Sequence, residues 1–526
     1  MLFPDAVILD TTENSGEQVI QKIISSIAQS KDMQIELAIA DVNARERLGS
    51  TIIPVQSHIV AIPHAYTNAC KQVILAVATS QSGIVWGKSG QKVTTIFLLL
   101  SPREAHSLYL KILSRLARLC ETEGFLDRFV NSRSAEEAIS IIAEAEEPLG
   151  EILSAEETPR FCVLGAGNGG LAMAGHLAIL GYRVNLLNRT LERIIPIQSR
   201  GGIDVLGVVQ GFGTLDTITN DPAQALEGID VLMVVVPATG HADIAEMIAD
   251  HIKDGQIIVL NPGRTGGALE VSNIIRRKNP NVRPFLAEAQ TLLYASRVTN
   301  PGQVHIYGVK NSVPVAALPA YQIADILPVL RKAFPQFVPG DDVLKTSLDN
   351  IGAVFHPTVT ILNAGRIEDT HGDFRYYIEG VTPSIARILE EVDQERVRVA
   401  EALGIHVNTA REWLYLAYSA AGKTLLEAMH ANANYKDIKA PGTTQHRYIS
   451  EDVPTSLVPI ASIGDSLNVP TPTIKSIIQL ASVMHGVDYW AIGRTVDQLG
   501  IKGMSIRDIR FMVVGAESST VQPEGS

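Results

Sequence analysis

The sequence predicts a multidomain protein in which two α/β regions are followed by an all-helical region. Short apolar runs alternate with helical periods as far as Val338, a pattern typical of parallel strands that helices cover on both faces. From Asp341 onward the apolar residues recur at helical spacing over much longer stretches. An acidic segment with two prolines, Ala143 to Pro159, separates the two α/β regions, and we interpret it as a linker. The 526 residues are sufficient for three domains of ordinary size.

The composition and charge favour a cytoplasmic protein that binds neither nucleic acid nor a membrane. Charged residues make up 19% of the chain, and the net charge of −12 argues against a nucleic-acid or anionic-membrane partner. The chain opens on MLFPDA, which lacks the basic segment of a signal peptide. Its longest charge-free runs contain prolines, histidines or a glycine turn, unlike a membrane span. Cys70, Cys120 and Cys162 are widely spaced, so we expect free thiols and no metal site.

The first region has the elements of a compact α/β domain. Helical periodicity from Val19 to Ile27 predicts an early helix, and the apolar runs Val73 to Ala78 and Thr94 to Leu100 predict buried strands. An amphipathic helix is expected from Ala105 to Leu119. The sequence SAEE, which ends at Glu137, has the spacing of a capping box and predicts a last helix before the linker.

A glycine-rich turn, GAGNGG, joins an apolar strand to a small-residue helix just after the linker. In such a turn Gly165 makes the tight bend, Gly167 lets a pyrophosphate approach the backbone, and Gly170 lets the helix pack on the strand. The amide groups at the helix N-terminus attract the phosphate charge. The strand before the turn and the strand that ends at Leu187 lie where a βαβ unit requires them. We therefore expect a Rossmann domain that binds a dinucleotide, with Asn168 as a further contact.

The end of the second strand indicates which dinucleotide is bound. Enzymes that use NAD usually place an acid there to accept from the ribose 2′-hydroxyl. This chain has Asn188 and Arg189 instead, with Arg193 one helical turn later. A guanidinium binds a 2′-phosphate that a carboxylate would repel, so we expect NADP, with NAD as the alternative. In the other interpretation Arg189 is a solvated surface residue.

Further apolar runs predict the rest of the parallel sheet: Asp230 to Pro237, Gln256 to Pro262, Pro284 to Glu288 and Val304 to Tyr307. Long helical periods then predict a separate helical domain, with helices at Val343 to Ala364, Pro383 to Leu403, Val407 to Ala421 and Thr473 to Met484. This domain contains two residues suited to acid/base chemistry, His356 and Asp452. The sequence alone does not show that they touch, and a single histidine in a helix is more often a packing residue.

The chain from about Arg160 onward resembles the octopine/nopaline dehydrogenase family. The matching segments, in order, are GAGNGG, NPGRTGGALE from Asn261, LAEAQTLLYASR, HPTVTILNAGRIE from His356, YYIEGVTP and RYISEDVPTSLVP from Arg447. The resemblance implies that His356 and Asp452 are the catalytic pair, that Arg447 binds a substrate carboxylate, and that Asn261 lies near the nicotinamide. The alternative for Arg447 is a surface salt bridge.

The reaction that the resemblance implies is reductive condensation. A 2-oxo acid and an amino acid form an imine, and NAD(P)H delivers hydride to the imine carbon. His356 would act as acid and base, and Asp452 would polarise it. Two alternatives remain: a carbonyl-reducing enzyme of the glycerol-3-phosphate dehydrogenase or ketopantoate reductase type, or a regulatory protein that senses NADPH without turnover. The amino acid, the oxo acid and the oligomeric state stay open, although we expect a homo-oligomer.

The first region resembles the fructose/mannitol/nitrogen-type enzyme IIA domain of the bacterial phosphotransferase system. The similar segments are RERLGST from Arg45, AIPH ending at His64, and TIFLLL followed by SPREAH ending at His106. The resemblance implies that His64 accepts a phosphoryl group from a phosphocarrier protein, with Arg45 and His106 steadying the phosphate. The passage GSTIIPVQSHIV before His64 is longer than the family's and lacks its later glycines. A vestigial domain is the alternative.

Together these patterns predict four segments with different roles. They are an enzyme IIA type-2-like α/β sandwich at 1–147, a linker at 148–158, a Rossmann NAD(P)-binding domain at 159–339 and a helical substrate domain at 340–526. The function expected for this arrangement is an opine-type dehydrogenase with a phosphorylatable regulatory domain.

Overall fold

A computed structural model describes residues 4–28, 33–48, 51–55, 57–87, 90–102, 124–146 and 158–515, with a few single residues and pairs between 112 and 122. The chain forms two compact units, Met1–Ile152 with Phe511–Ser526, and Leu153–Arg510. Most of the predicted linker and most of the helix predicted at Ala105 to Leu119 lie outside the described residues, as does His106. Within the described residues, no helix is long and apolar enough to cross a membrane.

The first unit is built on a mixed sheet. Its described strands are β1 (Val7–Ile8), β2 (Ile52–Val55), β3 (His58–Ala61), β4 (His64–Tyr66), β5 (Ile74–Trp86) and β6 (Gln91–Ser101). They lie in the order β1-β5-β6-β3-β2, with β4 also paired to β6. The long strands β5 and β6 are antiparallel and contain the two predicted apolar runs. The passage without the family's later glycines contributes the antiparallel pair β2 and β3.

Apolar residues cover both faces of this sheet, which confirms the predicted α/β sandwich. The described helices are α1 (Gly16–Ala28), α2 (Ile35–Leu48), α3 (Phe125–Val130) and α4 (Ala135–Glu146). Residues of α1 and α2 pack with Trp86 in one cluster on one face. Phe125 and Phe129 of α3 pack against Phe97 in a second cluster. The Ser134 hydroxyl accepts from the Glu137 N–H at 3.2 Å, so the predicted cap is present at the start of α4.

The second unit contains a large sheet within residues 158–515. Its strands are β7 (Phe161–Leu164), β8 (Val184–Leu187), β11 (Thr217–Thr219), β12 (Val231–Val234), β13 (Ile257–Leu260), β14 (Phe285–Ala289), β17 (Val313–Leu318) and β18 (Phe337–Pro339). They lie in the order β11-β8-β7-β12-β13-β14-β17-β18. The strands from β11 to β14 are parallel, as predicted, whereas β17 runs antiparallel to β14. Strands β7, β8, β12 and β13 are buried along their whole length because helices cover both faces.

The prediction that Val304 to Tyr307 belongs to the parallel sheet is wrong. These residues lie in β16 (Gln303–Val309), part of a separate small sheet with β9 (Gly202–Gly207), β10 (Gly211–Thr214) and β15 (Tyr294–Asn300). The physical reason is that burial alternates along β16, so only one of its faces is covered. The covering helix is α5 (Asn168–Ile179), which approaches this sheet closely at Gly175, where a Cβ would lie 2.5 Å from the Val205 side chain.

The other helices of this half of the unit are α6 (Leu191–Arg200), α7 (Pro222–Leu226), α8 (His241–Ile248), α9 (Gly267–Lys278) and α10 (Ile323–Ala333). The all-helical part has α11 (Val343–Leu348), α12 (Gly352–Leu362), α13 (Ala364–Thr370), α14 (Pro383–Ala402), α15 (Ala410–Tyr418), α16 (Leu425–Ala431), α17 (Arg447–Ser450), α18 (Val458–Ser466), α19 (Pro472–His485), α20 (Tyr489–Ile492) and α21 (Ile506–Val514). The single helix predicted at Val343 to Ala364 is interrupted at residues 349–351 and again at Asn363. A π-helical turn, Val453–Leu457, directly follows Asp452.

Candidate active site

A cleft of about 780 Å³ lies at the carboxyl ends of the parallel strands, where open α/β sheets bind their ligands. One wall comes from the loops that follow β7, β12, β13 and β14. The other wall comes from the helical part and includes His356 and Tyr448. The glycine turn and the histidine predicted from the sequence therefore line the same cleft.

The glycine turn has the geometry that a dinucleotide site needs. Gly165 has φ +114°, and a Cβ there would lie 2.5 Å from the Val235 carbonyl oxygen. A Cβ on Gly170 would overlap the Gly165 carbonyl oxygen, so only glycine lets the helix start this close to the strand. A Cβ on Gly167 would meet no protein atom within 4 Å and would instead occupy the open cleft. This cradle fits a pyrophosphate.

Two asparagines hold the turn in place. The Asn188 side chain accepts from the Ala166 N–H at 2.9 Å and donates to the Thr190 carbonyl at 2.8 Å, which ties the turn to the end of β8. The Asn168 side chain accepts from the Val298 N–H at 2.8 Å, which ties the turn to the small sheet. Both amide groups thus shape the backbone around the cleft.

The two arginines near the end of β8 are placed differently. Arg189 forms an exposed ion pair with Asp243, with 2.6 Å between Nη1 and Oδ2. Arg193, on α6, lines the cleft. Of the pair, Arg193 therefore has the more direct access to a ligand in the cleft.

Asn261 contributes a buried acceptor. Its side chain donates to the Val259 carbonyl at 2.9 Å, and its Oδ1 atom has no hydrogen-bond partner among the described residues. Because Asn261 follows β13 and lines the cleft, this oxygen is suited to an N–H group such as that of a carboxamide.

His356 and Asp452, 96 residues apart, are in contact. His356 Nδ1 lies 2.9 Å from Asp452 Oδ2, and the Asp452 side chain is fully buried. A carboxylate can only accept, so Nδ1 carries the proton and Nε2 is left for a ligand. The imidazole stacks on the Tyr448 ring with 4.1 Å between centroids. These contacts fix both the tautomer and the orientation of His356.

Arg264, which the sequence analysis did not single out, completes this cluster. Its Nη1 atom lies 3.3 Å from Asp452 Oδ1, and its Nε atom lies 3.5 Å from Glu451 Oε1. Burial alone would raise the pKa of Asp452, but the Arg264 guanidinium and the His356 imidazole hold it below its usual range. The motif NPGRTGG contains Arg264, but no local pattern indicates that it reaches Asp452.

Arg447 lies at the rim of the cleft with its side chain 59% exposed. Its Nη2 atom lies 2.8 Å from Glu451 Oε2, while Glu451 itself is buried. The salt bridge of the alternative interpretation is therefore present, and it holds the guanidinium where a substrate in the cleft can reach it.

In the first unit, the predicted phosphoryl acceptor is a half-buried histidine on β4. The His64 Nδ1–H donates to the Ile62 carbonyl at 2.7 Å, so Nε2 is the unprotonated nitrogen of the neutral ring. Burial lowers the pKa of His64, and the positive charge of Arg45 on α2 lowers it further against the opposing effect of the Ile62 carbonyl. Burial and the Arg45 charge thus both favour the neutral form of the imidazole.

Three family models match successive parts of the chain. "Phosphoenolpyruvate-dependent sugar phosphotransferase system, EIIA 2" matches residues 1–145, "Ketopantoate reductase PanE/ApbA" matches 161–311, and "NAD/NADP octopine/nopaline dehydrogenase, alpha-helical domain" matches 339–485.

Curated relatives match the second and third of these parts together. Opine dehydrogenase of Arthrobacter sp. (strain 1C) is 40% identical over 358 residues, which are 68% of this chain and 99% of the relative. Protein ocs of Agrobacterium tumefaciens is 26% identical over 360 residues, 66% of this chain and 98% of the relative.

Solved structures match the same region. Octopine dehydrogenase with NADH and L-arginine gives a TM-score of 0.59 at 22% identity, covering 69% of this chain and all of that one. Yersinopine dehydrogenase with NADP+ gives a TM-score of 0.54 at 15% identity, and the match covers 68% of this chain and 98% of that one.

The fold and the cleft are those of an NAD(P)-dependent dehydrogenase that acts on a CH–NH bond. The chain belongs to the opine dehydrogenase family, and an enzyme IIA type-2 domain precedes its dehydrogenase part. Both resemblances proposed from the sequence are confirmed.

One added methyl group should affect cofactor binding at Gly167 and protein stability at Gly170. Gly167→Ala should leave the melting temperature within about 2 °C of wild type, because its Cβ meets only open space. It should weaken NADPH binding at least about tenfold, because the methyl group occupies the pyrophosphate site. Gly170→Ala should lower the melting temperature by several degrees, since its Cβ overlaps backbone.

Thermal unfolding and NADPH titration of purified variants measure both effects. Gly365→Ala, where an added Cβ also meets nothing within 4 Å but outside the cleft, is the matched control. Wild-type affinity of Gly167→Ala for NADPH would rule out the cradle.

Proposed function

We propose that the protein reductively condenses an amino acid with a 2-oxo acid, using hydride from NADPH. The observation that carries this proposal is that the glycine turn and His356, which is held by the buried Asp452, line one cleft. Octopine dehydrogenase has been solved with NADH and L-arginine and with pyruvate, which are an amino acid and a 2-oxo acid. The NADPH nicotinamide would supply the hydride that converts the imine to a secondary amine.

The residues of the cleft would carry the proton transfers. His356 Nε2 takes a proton from the ammonium group of the amino acid, which frees the nitrogen lone pair to attack the oxo-acid carbonyl. The same nitrogen returns the proton to the hydroxyl that leaves as water when the imine forms. Asp452, held ionised by Arg264, stabilises the charged imidazole between these steps. Arg447 binds a substrate carboxylate, and Asn261 Oδ1 accepts from the nicotinamide carboxamide.

His356→Ala should lower kcat by about 10² to 10⁴-fold, because the general acid and base is lost. NADPH affinity should be unchanged, since His356 lies on the opposite wall from the glycine turn. The assay follows NADPH oxidation with a panel of 2-oxo acids, each tested with and without amino acids. His430→Ala, an exposed histidine of the helical part, is the control.

If NADPH is oxidised equally fast with a 2-oxo acid alone, the enzyme reduces the carbonyl group and not an imine. Tight NADPH binding without turnover on the whole panel would favour the sensor interpretation.

We propose NADP as the preferred cofactor, bound through its 2′-phosphate by Arg193 and Arg189. The supporting observation is that Asn188 occupies the position at the end of β8 where an acid would select NAD. Relatives have been solved with either dinucleotide, so the choice depends on residues of this kind.

Arg193→Ala should raise the KM for NADPH about tenfold or more, because a charge-assisted contact to the phosphate is lost. The KM for NADH, which has no 2′-phosphate, should change less than about twofold. Steady-state kinetics with both cofactors measure the ratio, with Arg183→Ala, an exposed arginine in a surface ion pair, as the control. A KM that rises by the same factor for NADPH and for NADH would contradict the assignment of Arg193 to the 2′-phosphate.

We further propose that His64 accepts a phosphoryl group from a phosphocarrier protein and that this modification regulates the dehydrogenase. The phosphorus–nitrogen bond of the carrier breaks as a bond to His64 Nε2 forms. Because the Nδ1–H of His64 donates to the Ile62 carbonyl, Nε2 is the unprotonated nitrogen that a nucleophile requires, and the Arg45 guanidinium would offset the charge that arrives.

Incubation with enzyme I, the phosphocarrier and radiolabelled phosphoenolpyruvate should label the whole chain, and His64→Ala should abolish the label. Arg45→Ala should slow labelling about tenfold. His430→Ala again serves as the control. Labelling that persists in His64→Ala would exclude this histidine, and identical kinetics of labelled and unlabelled enzyme would exclude regulation.

A further inference from the structure

A lysine of the cleft has no role in the chemistry described so far. The backbone N–H of Lys310, just beyond β16, donates to the Leu293 carbonyl at 2.9 Å. Its ammonium group donates to the Thr291 hydroxyl at 2.6 Å. Both Lys310 and Thr291 line the cleft, on the wall that the dinucleotide-binding half supplies.

The charges around the cleft leave Lys310 without a carboxylate. The other described cationic side chains that line it are Arg193, Arg264 and Arg447. Arg264 lies between Asp452 and Glu451, and Arg447 pairs with Glu451. Within residues 158–515, no ion pair to the Lys310 ammonium occurs, and its hydrogen bond is to a neutral hydroxyl.

The positive charge at Lys310 is also incompletely compensated. The Lys310 side chain is exposed to the cleft, yet desolvation by its neighbours lowers its pKa and the nearby Arg264 guanidinium lowers it further. An anion bound beside Lys310 would offset the repulsion between these two cations.

The strand order indicates which anion reaches it. The adenosine half of a dinucleotide lies at the end of β8, beside Arg193, and its pyrophosphate lies at β7. Thr291 follows β14, which is four positions from β8 in the sheet. At about 4.8 Å per strand this is about 19 Å. Lys310 therefore lies at the opposite end of the cleft from the adenosine, where the substrates react.

The reaction requires two carboxylates to be held at this end. The carbon that receives hydride comes from the 2-oxo acid and bears that acid's carboxylate directly, so this carboxylate stays close to the nicotinamide wall. The helical wall, which is lined by aromatic side chains and carries Arg447 at its rim, is then left for the amino acid. These aromatic residues are Phe355, Tyr377, Trp413, Tyr418 and Tyr435.

We propose that Lys310, together with the Thr291 hydroxyl, binds the carboxylate of the 2-oxo acid, while Arg447 serves the amino acid. An ammonium group and a hydroxyl on the same side can donate to the two oxygens of one small carboxylate. The proposal rests on the proposed function, since it assigns one substrate of that reaction to one wall of the cleft.

Lys310→Met, which removes the charge and keeps most of the stem, should raise the KM for pyruvate at least tenfold. The KM for the amino acid and the Kd for NADPH should stay within twofold of wild type. Thr291→Val should raise the KM for pyruvate by a smaller factor, and Lys310→Arg should retain much of the wild-type value. Lys253→Met, an exposed lysine of the same half, is the matched control.

A second readout separates this proposal from the proposed function. Calorimetry measures the binding of pyruvate to the NADPH-loaded full chain without requiring turnover. If wild type binds pyruvate and Lys310→Met binds it at least tenfold more weakly, the assignment of Lys310 stands even if no amino acid supports catalysis. Pyruvate binding that is unchanged in Lys310→Met, or a loss that falls instead on NADPH or the amino acid, overturns it.

Discussion

The chemistry of the cleft depends on keeping the buried carboxylate of Asp452 ionised. An unpaired charge in a protein interior costs several kcal/mol, so it persists only with partners on both sides. Arg264 and His356 provide them, at 3.3 Å and 2.9 Å. Because the carboxylate accepts from Nδ1, the imidazole is held with Nε2 toward the cleft and has a negative charge beside it. Neutralising Asp452 would remove both properties at once.

Holding this cluster together requires chain segments that are far apart in sequence. Arg264 has φ +59°, an unfavourable conformation for any residue except glycine, so its loop needs external support. Arg494 supplies it: the buried guanidinium donates to the carbonyls on either side of Arg264, and its own backbone N–H donates to the Pro454 carbonyl. The same residue thus fixes the loop that carries Arg264 and the turn that follows Asp452. The helical and dinucleotide-binding parts are therefore joined beside the buried Asp452 carboxylate.

Short-range patterns in the sequence were sufficient to predict the glycine turn and the buried parallel strands, because glycine geometry and continuous apolar runs act locally. They were not sufficient for Val304 to Tyr307, since a run of only four residues does not show whether one face of the strand or both are covered. The break at residues 349–351 is set by tertiary contacts, such as the hydrogen bond from Asn350 to Ser456. The contact between His356 and Asp452 was expected only from the resemblance to a family. Arg264 was missed because its role depends on a loop conformation that no periodicity encodes.

In the proposed mechanism the glycine turn and the His356–Asp452 pair act on one imine in one cleft. NADPH that carries deuterium at the transferable position of nicotinamide C4 provides the decisive test, with the product analysed by mass spectrometry. The expected product is a secondary amine that contains one deuterium, on the carbon derived from the 2-oxo acid. A deuterated 2-hydroxy acid as the sole product, with the amino acid recovered unchanged, would contradict this mechanism.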